Sequence, residues 1–573
     1  MISPGTAYVP PVLRHGRSWG FAVNLYALRS QRNWGIGDFT DLRTFVDFAA
    51  RVGAGLVGTN PLHALRYEEP EAASPYAPTS RYFRNPIYID VEAVSEFATD
   101  TPRAAALRAR IASPAFAAKL RDLRDAPIVK YAEVARLKWE ALEELYAINR
   151  SGPRGGAFAA YVEQGGERLE RFAVYETLAE HFAREGLHGW LEWPAEFADA
   201  GSTAVKTWAA RRRRRVDYFK FLQWVADVQL QAVATAAERL EVGLYLDVAV
   251  GVETGGADVW YDPRAYVLEE TVGAPPDPFG PLGQNWGLPP PSPQGLVGDG
   301  GAAFSDLLAR NMAHAGALRL DHVMALMRLF RIPRGLTPAE GAYVAYPLDE
   351  LLALASAQSV LSRCLIVGED LGNVPDGFRE RMERQAIFSY RVLLFERESD
   401  GSFKAPERYP ALSLATATTH DMPPLAGWAV GRDLDIWEHT GLMTSDWTAE
   451  ARATRRVDVS RLVYALGHFG ELDVAASETI HRTVDARVPD PAAYDPFVRA
   501  AYRFLGRTPS RLVVVALDDA LGEFDQVNLP GTFFEYPNWR RKNRLDIESI
   551  VVDERIATLA AEVLERVKGG RPL

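Results

Sequence analysis

The chain has 573 residues, 47% of them apolar and 24% charged, with a formal net charge of −11. That length is enough to bury a large core, and the acidic balance argues against nucleic acid or an anionic membrane surface as the main partner. The single cysteine, Cys364, excludes an internal disulfide and sits in the apolar run Cys364-Leu365-Ile366-Val367, where an inert buried thiol is expected. With no apolar leader in "MISPGTAYVPPVLRHG" and no run of transmembrane length, a cytoplasmic location is the expectation.

Short apolar runs alternate with longer helix-like segments along the chain. The first strand candidate is Gly20–Leu25. It is followed by "DFTDLRTFVDFAARVG", which has a capping Asp38, a helical apolar stripe and a closing Gly53. The second strand is Gly55–Leu62. From His63 to about Leu240 the pattern is mostly helical. In this stretch the run Arg211–Arg215 reads as a solvated helix face, and "YFKFLQW" at Tyr218–Trp224 has the spacing of packed helix residues. Val242–Val250 is the third strand. Asp277–Gly301 is rich in Pro and Gly and reads as a long irregular loop. Its closing "GLVGDGG" precedes a helix but lacks the lysine of a phosphate-binding loop, so it reads as a plain turn. The remaining strands are Ala317–Val323, Leu365–Glu369, Tyr390–Phe395, Leu412–Thr418 and Arg511–Leu517. Helices "YPLDELLALASAQSVLSRC" and "PDGFRERMERQ" fall between them.

Eight strands alternating with helices point to an α/β fold, a (β/α)8 TIM barrel with large, mostly helical insertions. The expected organisation is an N-terminal extension over 1–18, strands one and two over 19–62 and a helical insertion over 63–240. Strands three to seven and their loops follow over 241–436, a second helical insertion over 437–507, and the last strand with a C-terminal helix over 508–573.

Three strands end in acids. "ALRLDHV" places Arg319 and Asp321 on one face of the fourth strand, since alternate residues of a strand point the same way. An adjacent guanidinium favours an ionised carboxylate, as a nucleophile requires; a structural ion pair at a strand end is the alternative reading. "LIVGEDLG" ends the fifth strand in Glu369 and Asp370, and "ATATTHDMP" ends the seventh in His420 and Asp421. A helix-cap role is the alternative for Asp370 and Asp421. In a parallel barrel these ends open onto one face, so the acids converge there.

Paired carboxylates around an acetal are the machinery of glycoside chemistry. Asp321, beside Arg319, suits the nucleophile. Glu369, after an apolar run, suits the proton donor whose pKa rises on desolvation. Asp421 with His420 suits sugar hydroxyls and developing positive charge. Trp286, amid Pro and Gly, suits stacking on a sugar ring. No compact metal-ligand spacing accompanies the histidines, so no metal and no cofactor is expected.

These motifs, in this order, resemble those of the amylomaltases, or 4-α-glucanotransferases, of the α-amylase-like barrel group. The stretches "SQRNWGIGDFTDL", "SPYAPTSRYFRNPIYID", "GLYLDVAVGV", "GADVWYD", "GAPPDPFGPLGQNWGLPP", "GEDLGNVP" and "QVNLPGTFFEYPNWRRK" agree, over about Trp19 to Lys542. The resemblance implies Asp321 as nucleophile, Glu369 as general acid/base and Asp421 as transition-state stabiliser. It implies that Arg319 and His420 contact the reacting sugar, and that Asp247 matches the group's first barrel motif. Tyr76, Gln284, Trp286 and Asn528 would line the glucan cleft. Where this chain has Pro278 some relatives carry an aromatic residue, and where it has Pro424 relatives often carry Thr.

The activity so implied is transfer of an α-1,4-glucan segment to a sugar 4-hydroxyl with retention, on maltooligosaccharides and α-1,4-glucans. The alternatives are a hydrolase of the same chemistry and a non-catalytic glucan-binding protein. The latter is expected to have lost at least one acid, and all three are present.

Overall fold

The structure, a computed structural model, describes residues 4–150, 152, 155–276, 282–532 and 534–569. Pro278 lies outside these residues.

Eight parallel strands close into a barrel: β1 (Ser18–Val23), β2 (Leu56–Thr59), β3 (Gly243–Val248), β4 (Ala317–Leu320), β5 (Leu365–Gly368), β6 (Phe388–Val392), β7 (Ser413–Thr416) and β8 (Leu512–Ala516). Each pairs with the next, and β1 returns to β8 with Ser18 opposite Leu512 and Ala22 opposite Ala516. Each strand overlaps its sequence-predicted segment. Most are a few residues shorter because the chain turns out of the ladder at the rim. Closure leaves the barrel itself without a sheet edge to template pairing with another chain.

The period of two explains how the barrel reads from bottom to top. Leu56, Tyr245, Ala317, Leu365, Val367, Phe388, Leu414, Leu512 and Val514 form an apolar inner cluster, closed at the bottom by Leu13 of the short helix Pro11–His15. Two residues further along β3 to β6 the same inward register delivers polar groups: Asp247 after Tyr245, Arg319 after Ala317, Glu369 after Val367, Tyr390 after Phe388. A packed apolar floor and a polar mouth are therefore one alternation pattern read at two heights.

Outside the barrel, Asp38 caps helix Phe39–Arg51 by accepting from the backbone N–H groups of Thr40 and Asp41. The stretch between β2 and β3 contains helices Pro102–Ile111, Pro114–Asp125, Tyr131–Asn149, Gly155–Ala183, Thr203–Arg211 and Arg213–Ala237. It also contains a small hairpin, His63–Ala64 with Ser80–Arg84. Tyr218, Phe219, Phe221 and Trp224 are buried. Two members of the arginine run are paired: Arg213 with Glu170 and Asp217, and Arg215 with Glu143 and Glu180. Helices Ser445–His468, Val474–Ala486 and Pro491–Arg507 lie between β7 and β8. Cys364 is fully buried, which pushes its thiol pKa up.

The Pro/Gly-rich stretch departs from a wholly irregular loop. Gln284–Asn285 pairs with Glu270–Ala274, which joins Arg328–Pro333 and Ala342–Ala345 in a four-stranded antiparallel sheet. Two residues are too few for a period-of-two signal. At the end of "GLVGDGG", the Asp299 carboxylate accepts from the N–H groups of Ala302 and Ala303, filling the helix N-terminus that a phosphate would need.

Candidate active site

At the barrel mouth a buried guanidinium organises two carboxylates. Asp247 and Arg319 are register partners on β3 and β4. Arg319 Nη1 donates to both Asp247 oxygens at 2.9 and 2.8 Å, and its Nη2 lies 2.9 Å from Asp321 Oδ1. Arg319 is 8% exposed and Asp247 7%, so neither charge is left to water. Burial pushes the Asp247 pKa up; Arg319 opposes that shift, and so does a 2.6 Å hydrogen bond from Tyr76 Oη.

Tyr76 comes from the loop after β2, 171 residues from Asp247 in the chain. Its ring stacks on His420, with centroids 4.6 Å apart and planes at 20°. His420 Nε2 in turn lies 3.3 Å from Asp421 Oδ2, and Asn528 Nδ2 donates to Asp421 Oδ1 at 2.6 Å. Enclosure in the cleft raises the Asp421 pKa, but His420, Asn528 and Arg319 outweigh it and hold the carboxyl at about 2. Its side chain keeps 48% of its surface open, so this acid is an ionised group facing the cleft.

Glu369 has the opposite character. It is 8% exposed, and burial is the largest influence on it; with the nearby Asp321 charge this lifts its pKa to about 7 against the pull of Arg319. Its two oxygens accept from the backbone N–H groups of His322 at 2.9 Å and Leu371 at 2.6 Å, which fixes the carboxyl in place. The first of these bonds depends on His322 adopting a left-handed conformation at φ 46° and ψ 59°, where His is among the more tolerated residues. Burial drives the His322 imidazole pKa down to about 4, so it is neutral at pH 7. The Trp286 ring meets His322 edge-on at 5.1 Å, and its indole N–H donates to Gln284 Oε1 at 2.9 Å.

Of the ten residues singled out from the sequence, Asp321, Arg319, Asp247, Tyr76, His420, Asp421 and Asn528 form one chain of direct contacts, while Gln284 touches Trp286, and Trp286 and Glu369 each contact His322. Asp370 behaves differently from its neighbour and caps no helix. It is fully buried, accepting from Tyr390 N at 2.7 Å and Arg379 Nε at 2.6 Å, and so ties the end of β5 to β6. Asp421 caps no helix either. Two further side chains support the site. Tyr390 packs 5.8 Å from the Arg319 guanidinium. Asp519, just past β8, accepts from Leu425 N at 2.6 Å and Thr418 Oγ1 at 3.3 Å, bracketing the turn that carries His420 and Asp421. The inward register signals Tyr390; nothing local signals Asp519. Among the described residues, no group of three or more His, Cys, Asp or Glu side chains is placed to hold a metal ion. Nor is any helix among them long and apolar enough to cross a membrane.

A carboxyl group paired to a guanidinium, a second with its pKa lifted to about 7 on the next strand and an anchored third acid make a site for acetal exchange. Residues 23–546 match the family described as 4-alpha-glucanotransferase. The chain belongs to that family. It is 37% identical to the 4-alpha-glucanotransferase of Haemophilus influenzae over 98% of this chain and 80% of the relative. It is 35% identical to that of Mycobacterium tuberculosis over 98% and 77%. The amylomaltase of Corynebacterium glutamicum superposes with a TM-score of 0.83 at 30% identity, covering 96% of this chain and 75% of that one. The amylomaltase of Streptococcus agalactiae, solved with acarbose, has the same fold at a TM-score of 0.74 and 18% identity, covering 97% and 100%. The activity is that of a 4-alpha-glucanotransferase, and the barrel is its scaffold.

Proposed function

We propose that the protein moves a segment of an α-1,4-glucan to the 4-hydroxyl of an acceptor glucose or glucan by two displacements at Asp321. In the first, an Asp321 oxygen bonds to the anomeric carbon as the glycosidic C–O bond breaks, and Glu369 gives its proton to the departing 4-oxygen. In the second, ionised Glu369 takes the proton of the acceptor 4-hydroxyl, the acceptor oxygen bonds to the anomeric carbon, and the ester to Asp321 breaks. Two inversions retain the configuration. Asp421, anchored by His420 and Asn528, binds hydroxyls of the reacting ring and offsets its developing positive charge; Asp247 and Arg319 hold the same ring. Gln284 and Trp286 flank the cleft for the glucan.

The observation that carries this reading is the division of labour between neighbouring strands: Asp321 is ion-paired to Arg319, while Glu369 is held at about 7. One acid is set up to attack and the other to shuttle a proton near neutral pH. The test is incubation with maltotriose. Glucose and longer maltooligosaccharides should appear with little net rise in reducing ends. Only shorter sugars, with reducing ends rising in step, would mark a hydrolase.

A further inference from the structure

Trp539 occupies a backbone conformation that a bulky residue rarely adopts, at φ 58°. Such strain persists only where the surroundings over-determine it. Here they do. The Trp539 N–H donates to Val527 O at 2.9 Å, and its carbonyl accepts from Tyr131 Oη at 2.7 Å. The preceding Asn538 accepts from Leu529 N at 2.7 Å and donates to Thr532 O at 3.1 Å, closing the loop on itself. Glycine would meet the backbone requirement without strain, so what the position gains from Trp is the ring.

That ring is 3% exposed and lies against both members of the stacked pair, 5.5 Å from Tyr76 and 5.4 Å from His420, with Tyr26 behind it at 6.4 Å. The loop that ends at Trp539 begins with Asn528, which holds Asp421. The His420–Asp421 turn is therefore gripped by one closed loop at two points, a hydrogen bond at one end and an aromatic wall at the other.

We propose that Trp539 is a positioning residue for the transfer reaction. Its ring holds the Tyr76–His420 stack so that the Tyr76 hydroxyl meets Asp247 and His420 meets Asp421. This rests on the reading above that those groups contact the reacting sugar. The role belongs to kcat rather than to capture of the glucan, because the groups it orients act where charge develops.

The experiment compares Trp539→Gly with Trp539→Phe on maltotriose, at a temperature where melting curves show each fully folded. Glycine suits the backbone and removes the ring; phenylalanine keeps a ring on the strained backbone. We expect Trp539→Phe to stay within about fivefold of the parent kcat and Trp539→Gly to lose about thirtyfold or more, with KM moving by less than about threefold. In a background carrying both Tyr76→Phe and His420→Ala the glycine substitution should change kcat by less than about twofold, since both polar groups it positions are gone. Should the glycine variant fail to fold, Trp539→Leu, apolar and ringless, takes its place in the same cycle. Parent-like kcat in the ringless variant, or the same fold-loss in both backgrounds, overturns the proposal. If His420→Ala alone keeps the parent rate, the reading of the sugar contacts fails and the proposal with it. If His420→Ala is impaired while the ringless variant is not, only the role of Trp539 fails.

Discussion

The raised pKa of Glu369 has a measurable consequence for the reaction's pH dependence. At pH 6 a carboxyl with a pKa of about 7 is about nine-tenths protonated, whereas one at the ordinary value of 4.5 is about 3% protonated, so burial enriches the acid form about thirtyfold. That enrichment matters only when the leaving group needs a proton. We therefore expect kcat/KM for maltotriose to fall above about pH 7, approaching tenfold per unit beyond pH 8, while ester formation from an α-glucosyl fluoride stays flat over the same range. Glu369→Gln should lose about two to four orders of magnitude with maltotriose and much less with the fluoride. Mass spectrometry of that variant after exposure to the fluoride should find added glucosyl mass on the peptide containing Asp321. The reasoning is refuted if the fluoride shows the same alkaline limb as maltotriose, or if the variant loses equally on both donors. Label on Asp421 refutes the choice of nucleophile.

Other outcomes follow from the same geometry. Tyr76→Phe keeps the ring on His420 but removes the 2.6 Å hydrogen bond to Asp247; a bond to a charged group contributes about 1.5–3 kcal/mol, so kcat should fall about ten- to a hundredfold, and a loss under threefold would contradict the role given to that contact. Trp286→Ala should weaken maltooligosaccharide binding by roughly tenfold, about 1.4 kcal/mol, while the thermal midpoint moves little; a large drop in the midpoint would make Trp286 a core residue. Burial also lifts Asp38, Glu253 and Glu369 to about 7 and Asp519 to about 6. The folded protein then holds protons that the unfolded chain, with carboxyl pKa values near 4, has released, so stability falls as pH rises from about 4 through 7. Calorimetry should find the thermal midpoint lower at pH 7.5 than at pH 5.5, and a flat or rising midpoint would contradict those burial effects.

The barrel was legible in the sequence because its inner wall obeys a period of two and its strands are bounded by helices with capping signals such as Asp38 and Gly53. Asp321 and Glu369 were legible for the same reason: a polar residue that continues the inward register where an apolar strand ends faces the mouth. The partners of the site's acids were not. Tyr76 meets Asp247, and Asn528 meets Asp421, across 171 and 107 residues of chain. The two-residue strand at Gln284 has too few positions to show a pattern, and the left-handed Trp539 carries no local mark at all. Ionisation lay furthest from the sequence. His322 and His420 each stand beside an aspartate, so by local context they are alike. In the folded protein burial drives His322 down to about 4, with Asp321 too weak an influence to restore it and Arg328 adding to the fall. His420 is buried too, yet Asp421 and Asp247 raise its pKa above the ordinary value. The sequence placed both imidazoles next to strand-end acids; the charge each carries depends on desolvation and on neighbours that only the closed barrel and its loops bring within reach.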